Sequence, residues 1–584
     1  MLLQEPSVAD AAMSSTLLAA PAMLAAAAAA VLVALALTVS IRRRNKAAAA
    51  ASVSNKQGSI LGLPPGPRGL PVLGNMHQML ANKPVHRWLH RLLASADTGG
   101  IVRVRLGPVH VIAVSSPEIA REVLRGRNDA VFADRPTTFA AESFSVGYRS
   151  ASISPFGDQW RKMRRVLTAE ILNPATERRL AAAREGEADH LIRYVRALSG
   201  AGAGAAMVDV RHVARHFCGN VIRRLALGRR HFAGGEPEAC GGGVRGPGRD
   251  EEEHVGALFA TLNYLDAFCM SDYFPALVGL DLDGHERVVR GVMRTLTRLH
   301  DPVVEERLEE WRLLRKAGGG ERRRREPEDF LDVLASLEDD DGRPLLTVDE
   351  IKAQIIDIMI ATVDNPSNAA EWALAEMLHR PAVMAKAMSE LDAVVGRDRL
   401  VAERDVAELN YLKACIREAF RLHPYHPFNP PRVAMADAAV AGYAIPKGSH
   451  VILSRVGLGR NPRVWEDPLE FRPERHLLDA GEAGRSGGGV SLSEPELRFI
   501  SFSTGRRGCP GLSLGTLITV MLLGRLLQGF EWSAPPGGKV ELREAAESLV
   551  LADPLVLRAK PRLPAHLYEE AKVVIKVACF AGRV

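Results

Sequence analysis

One cysteine in this 584-residue chain sits in a setting suited to metal chemistry: Phe502-Ser503-Thr504-Gly505-Arg506-Arg507-Gly508-Cys509-Pro510-Gly511. A thiolate that binds haem iron needs a backbone that can approach the macrocycle closely. Gly505, Gly508 and Gly511 supply that freedom. The thiolate must also be held against protonation. The apolar run from Leu512 reads as a helix, and its N-terminus with nearby amides would do this. A cation at Arg507 suits a haem propionate. Thiolate donation to haem iron favours cleavage of the O–O bond of bound oxygen. The expectation is therefore a haem-thiolate, oxygen-activating site with Cys509 on the iron, not an inert buried cysteine.

A second stretch, Ala361-Thr362-Val363-Asp364-Asn365-Pro366-Ser367, lies inside an apolar-periodic segment that reads as a long helix over 347–378. Pro366 removes a hydrogen bond there and frees the carbonyl of Thr362 four residues back, at a cost of ~3 kcal/mol or more.

The elements around these sites read as mainly helical. Helices are expected over 158–172, 409–422 and 511–527, and β-prone runs over 101–114 and 438–453. Three Gly-, Arg- and acid-rich stretches, 234–253, 318–328 and 484–489, read as surface insertions with little to bury. The apolar and charged fractions, 47% and 25%, are those of a globular protein. A net charge of +6 without an aromatic-rich basic module argues against nucleic acid as a partner. The cysteines (Cys218, Cys240, Cys269, Cys415, Cys509, Cys579) form no CxxC pair and no zinc spacing, which points to a reducing compartment.

From Thr16 to Ile41 no residue is charged, enough apolar chain for a bilayer-spanning helix. Glu5 and Asp10 precede the run, and Arg42, Arg43, Arg44 and Lys46 follow it, which places everything beyond Lys46 in the cytosol. A cleaved secretory signal has a shorter apolar core after basic residues; an alanine-rich transit peptide is the other alternative. The expected division is a lumenal segment 1–15, an anchor 16–41 and a basic, Pro-rich linker 42–71. A catalytic domain 72–568 and an unplaced tail 569–584 follow.

The pattern Phe502-x-x-Gly505-x-Arg507-x-Cys509-x-Gly511 resembles the haem signature of the cytochrome P-450 superfamily. The resemblance covers about 64–568 and implies that family's fold: mainly α with small β-sheets. It implies further roles in the expected order along the chain. Glu418 and Arg421 match the Glu-x-x-Arg pair, and Arg475 completes that structural cluster. Trp160 and Arg164 match the Trp-x-x-x-Arg that meets a propionate of haem b (iron protoporphyrin IX), and Arg432 takes another propionate position.

The distal helix departs from the usual superfamily pattern: Asp364 keeps the acidic position, but Asn365 stands where a threonine is usual. Asp364-Asn365-Pro366-Ser367-Asn368, with Glu371–Glu376, His426-Pro427-Phe428-Asn429 and the 152–160 stretch, resembles the plant amino-acid N-monooxygenases, aldoxime-forming members of the superfamily. Within that family the likeness is greatest to the grass enzymes acting on L-tyrosine, with L-phenylalanine as the main competitor. Many members carry histidine where this chain has Arg432.

The resemblance implies double N-hydroxylation of an L-amino acid and loss of CO2, feeding cyanogenic glucoside or related defence biosynthesis. It implies O2 as co-substrate and NADPH electrons delivered by NADPH-cytochrome P-450 reductase. It also implies an endoplasmic reticulum location, single-pass, with the catalytic domain facing the cytosol. No Gly-x-Gly-x-x-Gly fingerprint supplies electrons internally; Arg161, Lys162, Arg164 and Arg165 form a basic cluster for reductase docking.

In the expected site the Thr362 carbonyl or the Asn365 amide holds the substrate ammonium, and Asp364 delivers protons. Phe139, Phe144 and Tyr148, within the 139–154 loop, contact an aromatic side chain together with the 549–552 turn. Arg149 is a candidate for the carboxylate. The rival readings are a C-hydroxylating plant relative, a reductase-independent haem-thiolate isomerase or dehydratase, and a non-catalytic haem sensor.

Overall fold

Thr347 starts the helix that organises the molecule. Its hydroxyl accepts from the Glu350 amide (3.2 Å) while the Glu350 carboxylate accepts from the Thr347 amide (2.8 Å), a reciprocal capping box. The helix runs Val348–His379, through Pro366. It is buried on nearly every side, with polar residues such as Gln354, Asp357, Glu371 and Glu376 enclosed among its apolar ones. It packs against helices Val210–Leu227, Asn410–Leu422 and Leu512–Gly529, and Trp372 at its heart is fully buried and stacked on His423 (3.7 Å).

This computed structural model describes residues 61–95, 98–200, 207–232, 244–317, 325–477 and 489–569. The expected lumenal segment, the anchor 16–41, most of the linker and all but the first residue of the tail lie outside them, as do Cys240 and Cys579. Among the described residues one helix, Leu512–Gly529, is long and apolar enough to cross a bilayer, but it is largely buried in the core.

The β-prone runs form three small sheets. Ile101–Leu106 and Val109–Val114 make a hairpin with Ile101 opposite Val114. The second strand continues parallel to His450–Leu453, which pairs antiparallel with Arg432–Val433. Met207–Asp209, Val556–Pro561 and Phe530–Ser533 form an antiparallel trio, and Ala438–Val440 pairs with Tyr443–Ile445. The chain is thus mainly helical with small sheets, as expected.

One expected loop is shorter than it reads. Residues 249–253, assigned to an insertion, open the helix Arg249–Leu265. Glu251 is fully buried and accepts from the amides of Phe232 and Gly248 (both 2.8 Å). Its charge is used as a cap, so an acid-rich stretch is not there a solvated one.

Glu418, Arg421 and Arg475 converge as expected. The Arg421 guanidinium grips Glu418 through two 2.7 Å bonds and donates to the carbonyls of Gly459, Pro468 and Glu470. Arg475 Nε reaches Glu418 at 3.0 Å. His476 Nε2 also lies 2.8 Å from this carboxylate, a partner the sequence reading missed. The cluster ties the Asn410–Leu422 helix to the segment leading into the cysteine loop.

Candidate active site

The cysteine loop is built by its glycines. Gly505 has φ +76°, and a Cβ there would fall 2.3 Å from Asp129 Oδ1 and 2.6 Å from the Leu124 carbonyl. Only glycine fits both demands. The Cys509 amide donates to the Phe502 carbonyl (2.8 Å), closing the loop, and the helix Leu512–Gly529 begins directly after it. Phe502 sits edge-on to Phe420 (6.1 Å), and Gly515, which the sequence reading passed over, leaves room for the Phe502 ring, since a Cβ there would lie 3.0 Å from it.

Cys509 is accessible although it lies deep in the molecule, because it faces a cavity of about 350 Å3. The cavity separates the loop from the long helix. Burial pushes the Cys509 thiol up, against the Gly511 amide and the Arg164 and Arg455 cations, which pull it down. The helix terminus and amides expected to hold the thiolate therefore do not prevail alone; a coordinated metal cation deprotonates a thiol outright.

Cations crowd one side of this cavity. Arg507 donates to the carbonyls of Ala133 (2.6 Å) and Ser154 (2.8 Å), and its guanidinium lies 4.6 Å over the Trp160 ring. Arg432 reaches the carbonyls of Phe132 (3.3 Å) and Thr504 (3.4 Å). Arg164 donates to the Gly508 carbonyl at 2.7 Å, bracing the cysteine loop itself. Arg135, unforeseen from sequence, joins them and donates to the Pro430 and Pro431 carbonyls (both 2.8 Å).

Burial, with Arg135 and Arg432 as positive neighbours, draws Arg507 down to about 8; burial, then Arg135, draws Arg432 down to about 9. A guanidinium keeps its proton in proteins, so this tension is relieved by an anion instead. Buried donors without a partner among the described residues point the same way: Arg507 Nη1, Arg432 Nε, Arg135 Nε and Trp160 Nε1. A buried cationic cradle with orphaned donors, beside a cysteine facing the same space, fits a dianionic iron macrocycle. These residues could hold a haem: Cys509 on the iron, and Arg507, Arg432, Trp160 and Arg164 towards its carboxylates.

The opposite wall is the long helix. Ile358, Ala361, Thr362, Asn365, Pro366 and Asn368 line the cavity, so the unusual Asn365-Pro366 pair and Thr362 do border it. Asp364 does not. It is fully buried on another flank of the helix, and burial pushes it well up against the opposing influence of the Arg215 cation and the Tyr425 hydroxyl. Tyr425 lines the cavity and so stands where Asp364 was expected to act.

The expected side-chain contacts lie elsewhere. Phe144 is fully buried in the core, Phe139 carries Arg290 over its ring (4.9 Å), and the Tyr148 hydroxyl donates to the Thr138 carbonyl (3.1 Å). Arg149 is half-exposed, 3.9 Å from Asp349. None of the four lines the cavity, and neither does the 549–552 turn, whose Leu549 carbonyl accepts from Trp372. The short helix Phe139–Phe144 presents Ala141 instead. Leu262, Leu265, Phe268 and Tyr273 form the apolar wall that the sequence reading did not assign. Arg455, with Nε unpartnered, and Asp266 add a cation and an acid to the same space.

Of the expected reductase-docking cluster, Arg161 and Arg165 are exposed, whereas Lys162 is bound to Glu350 (2.8 Å) and Arg164 turns inward.

The family model for cytochrome P-450 matches residues 64–557. Tyrosine N-monooxygenase of Sorghum bicolor is 58% identical over 88% of this chain and 88% of its own. Phenylalanine N-monooxygenase of Prunus mume is 50% identical over 87% and 92%, and valine N-monooxygenase 1 of Manihot esculenta 48% over 88% and 91%. A zebra fish cytochrome P-450 solved with progesterone superposes with a TM-score of 0.64 at 22% identity, covering 82% of this chain and 100% of that one, which bears on fold alone.

Proposed function

The chain belongs to the cytochrome P-450 family, and on that premise we propose that it N-hydroxylates an L-amino acid twice to give an aldoxime, with tyrosine the favoured substrate and phenylalanine next. The overall change is amino acid + 2 O2 + 4 electrons + 4 H+ to aldoxime + CO2 + 3 H2O. One observation carries the reading: the Thr362–Pro366 segment, typical of the amino-acid N-monooxygenases, forms the cavity wall across from Cys509.

Haem, held through Cys509, supplies the activated oxygen, and NADPH-cytochrome P-450 reductase supplies the electrons. Everything else falls to the chain. Pro366 has no N–H, so the Thr362 carbonyl is left without its helical donor and can accept from the substrate ammonium. The Asn365 amide is the second acceptor. Burial favours the protonated form of Asp364, and Tyr425, which meets Asp364 and lines the cavity, can carry a proton between them. Leu262, Leu265 and Phe268 keep water from the aromatic end of the substrate.

Arg455 takes the carboxylate role expected of Arg149, since it lines the cavity and Arg149 does not. A charge-assisted hydrogen bond contributes about 1.5–3 kcal/mol. Arg455→Gln should therefore raise the KM for the amino acid about tenfold to a hundredfold while the haem spectrum is retained. An unchanged KM would remove Arg455 from this role.

Membrane attachment is part of the same proposal. Leu70, Leu73 and Leu80 are exposed, as are Val278, Leu280 and Leu282. The two groups flank the turn of the first hairpin, where Gly107 donates to the Leu73 carbonyl and lies against Phe274. A patch of this kind beside the chain that leads from residues 16–41 suits a lipid surface, with the anchor in the endoplasmic reticulum and the catalytic domain in the cytosol.

Reconstitution with the reductase, NADPH and L-tyrosine is expected to yield aldoxime and CO2 in equal amounts. In Asn365→Thr the aldoxime formed per NADPH should fall several-fold as electrons are diverted to reduced oxygen. Carbon-hydroxylated product in place of aldoxime would overturn the reading.

A further inference from the structure

Away from the cavity, two helices bring together three metal-ligating side chains that the reaction leaves idle. His212 and His216 stand one turn apart on Val210–Leu227 and therefore share a face. Glu252, from the first turn of Arg249–Leu265, points at both. Its Oε1 lies 3.7 Å from His212 Nδ1 and 3.3 Å from His216 Nε2. The three residues' ligand atoms all fall within 4.8 Å of one another. We propose that His212, His216 and Glu252 form a binding site for a divalent transition metal of the zinc class, clamping the two helices together.

The geometry is near what such an ion requires. Zinc bonds of about 2.0–2.1 Å in a tetrahedron place ligand atoms about 3.3 Å apart. Two pairs already approach that spacing, and the third closes by small shifts about the Glu252 carboxylate, whose side chain is 51% exposed. The other ring nitrogen of His212 is held by the Tyr194 hydroxyl at 3.2 Å, which orients Nδ1 towards Glu252 as an outer-shell partner does in metal sites. His216 is buried, so its ring is fixed by packing, and its centroid lies 4.4 Å from that of His212. Two imidazoles and one carboxylate, with solvent reaching Glu252, make a three-ligand set with an open fourth position.

The clamp lies at the near end of a helix whose far end, at Leu262 and Leu265, lines the cavity. A bound ion would fix that wall from a distance, without touching substrate.

Equilibrium dialysis of the haem-loaded, tag-free protein against Zn2+, followed by elemental analysis, is expected to give one zinc per chain. Tyr194→Phe should weaken binding by about 10–100-fold, the usual cost of losing an outer-shell partner. His212→Ala should weaken it at least as much, and His212→Ala with Glu252→Gln should abolish it. The side chains of His212 and Glu252 are partly exposed, so an unaltered haem spectrum will show that the double variant is folded. Zinc retained equally by that double variant, or not retained by the parent protein, would overturn the site.

Discussion

Cys509→Ser is expected to eliminate turnover completely and to remove the red-shifted Soret band that a reduced, CO-bound haem shows only with a thiolate ligand. The loop itself should survive, because it is closed by the backbone bond from Cys509 to Phe502 and not by the thiol. Two of the three other described cysteines provide the contrast. Cys218 and Cys415 are fully buried, and burial, joined by acidic neighbours, pushes both thiols up. Such thiols behave as small apolar side chains. Replacing either by alanine should cost some stability and leave the spectrum unchanged. A Cys509→Ser protein that kept the thiolate band would move the iron ligand elsewhere.

Arg421→Ala should have the largest structural effect. It leaves the fully buried Glu418 carboxylate with Arg475, His476 and the Arg472 amide but without its bidentate cation, and it removes the Arg421 donor from the carbonyls of Gly459 and Pro468. Breaking one side of a buried pair costs about 3–5 kcal/mol, a large share of the ~5–15 kcal/mol that holds a domain together. Expression without haem incorporation is the expected outcome.

The same cluster sets an acid limit. Burial alone would raise Glu418, but bonds from Arg421 and His476 outweigh it and hold the carboxyl down at about 2, against an ordinary 4.5. Its contribution is therefore complete above about pH 4.5 and is lost as pH falls towards about 2, amounting to about 3 kcal/mol. Urea unfolding of Glu418→Gln should start from a lower stability and decline less steeply over that range. An equally steep decline would assign the acid sensitivity to other carboxylates.

What could be read from sequence was what is local along the chain. The cysteine loop was legible because its glycines, cation and following helix are contiguous, and Glu418 with Arg421 because helical spacing alone pairs them. The long helix announced itself through an apolar period, whereas its Thr347–Glu350 cap emerged only in the structure. Arg135 and Arg455 were not legible as cavity cations, because each comes from a separate segment that only tertiary packing brings to the cysteine. Helix phase explains Asp364. Ile358, Ala361, Thr362 and Asn365 follow the 3.6 repeat along one stripe, and Asp364 falls off it into the core, where Arg215 and Tyr425 meet it. The aromatic contacts failed for a related reason: in a loop no period says which side chains turn inward, and Phe144 turned away from the cavity.

The cavity between Cys509 and the wall formed by Thr362, Asn365 and Pro366 is proposed to seat an amino acid beside the haem, displacing water from the iron without its nitrogen binding the metal. The most direct test of this is a Soret titration of the membrane-expressed protein with L-tyrosine, L-phenylalanine and aliphatic amino acids in parallel. A saturable low-to-high-spin shift is expected, strongest with L-tyrosine and weaker in Arg455→Gln. A normal thiolate-haem spectrum that no amino acid perturbs would contradict it.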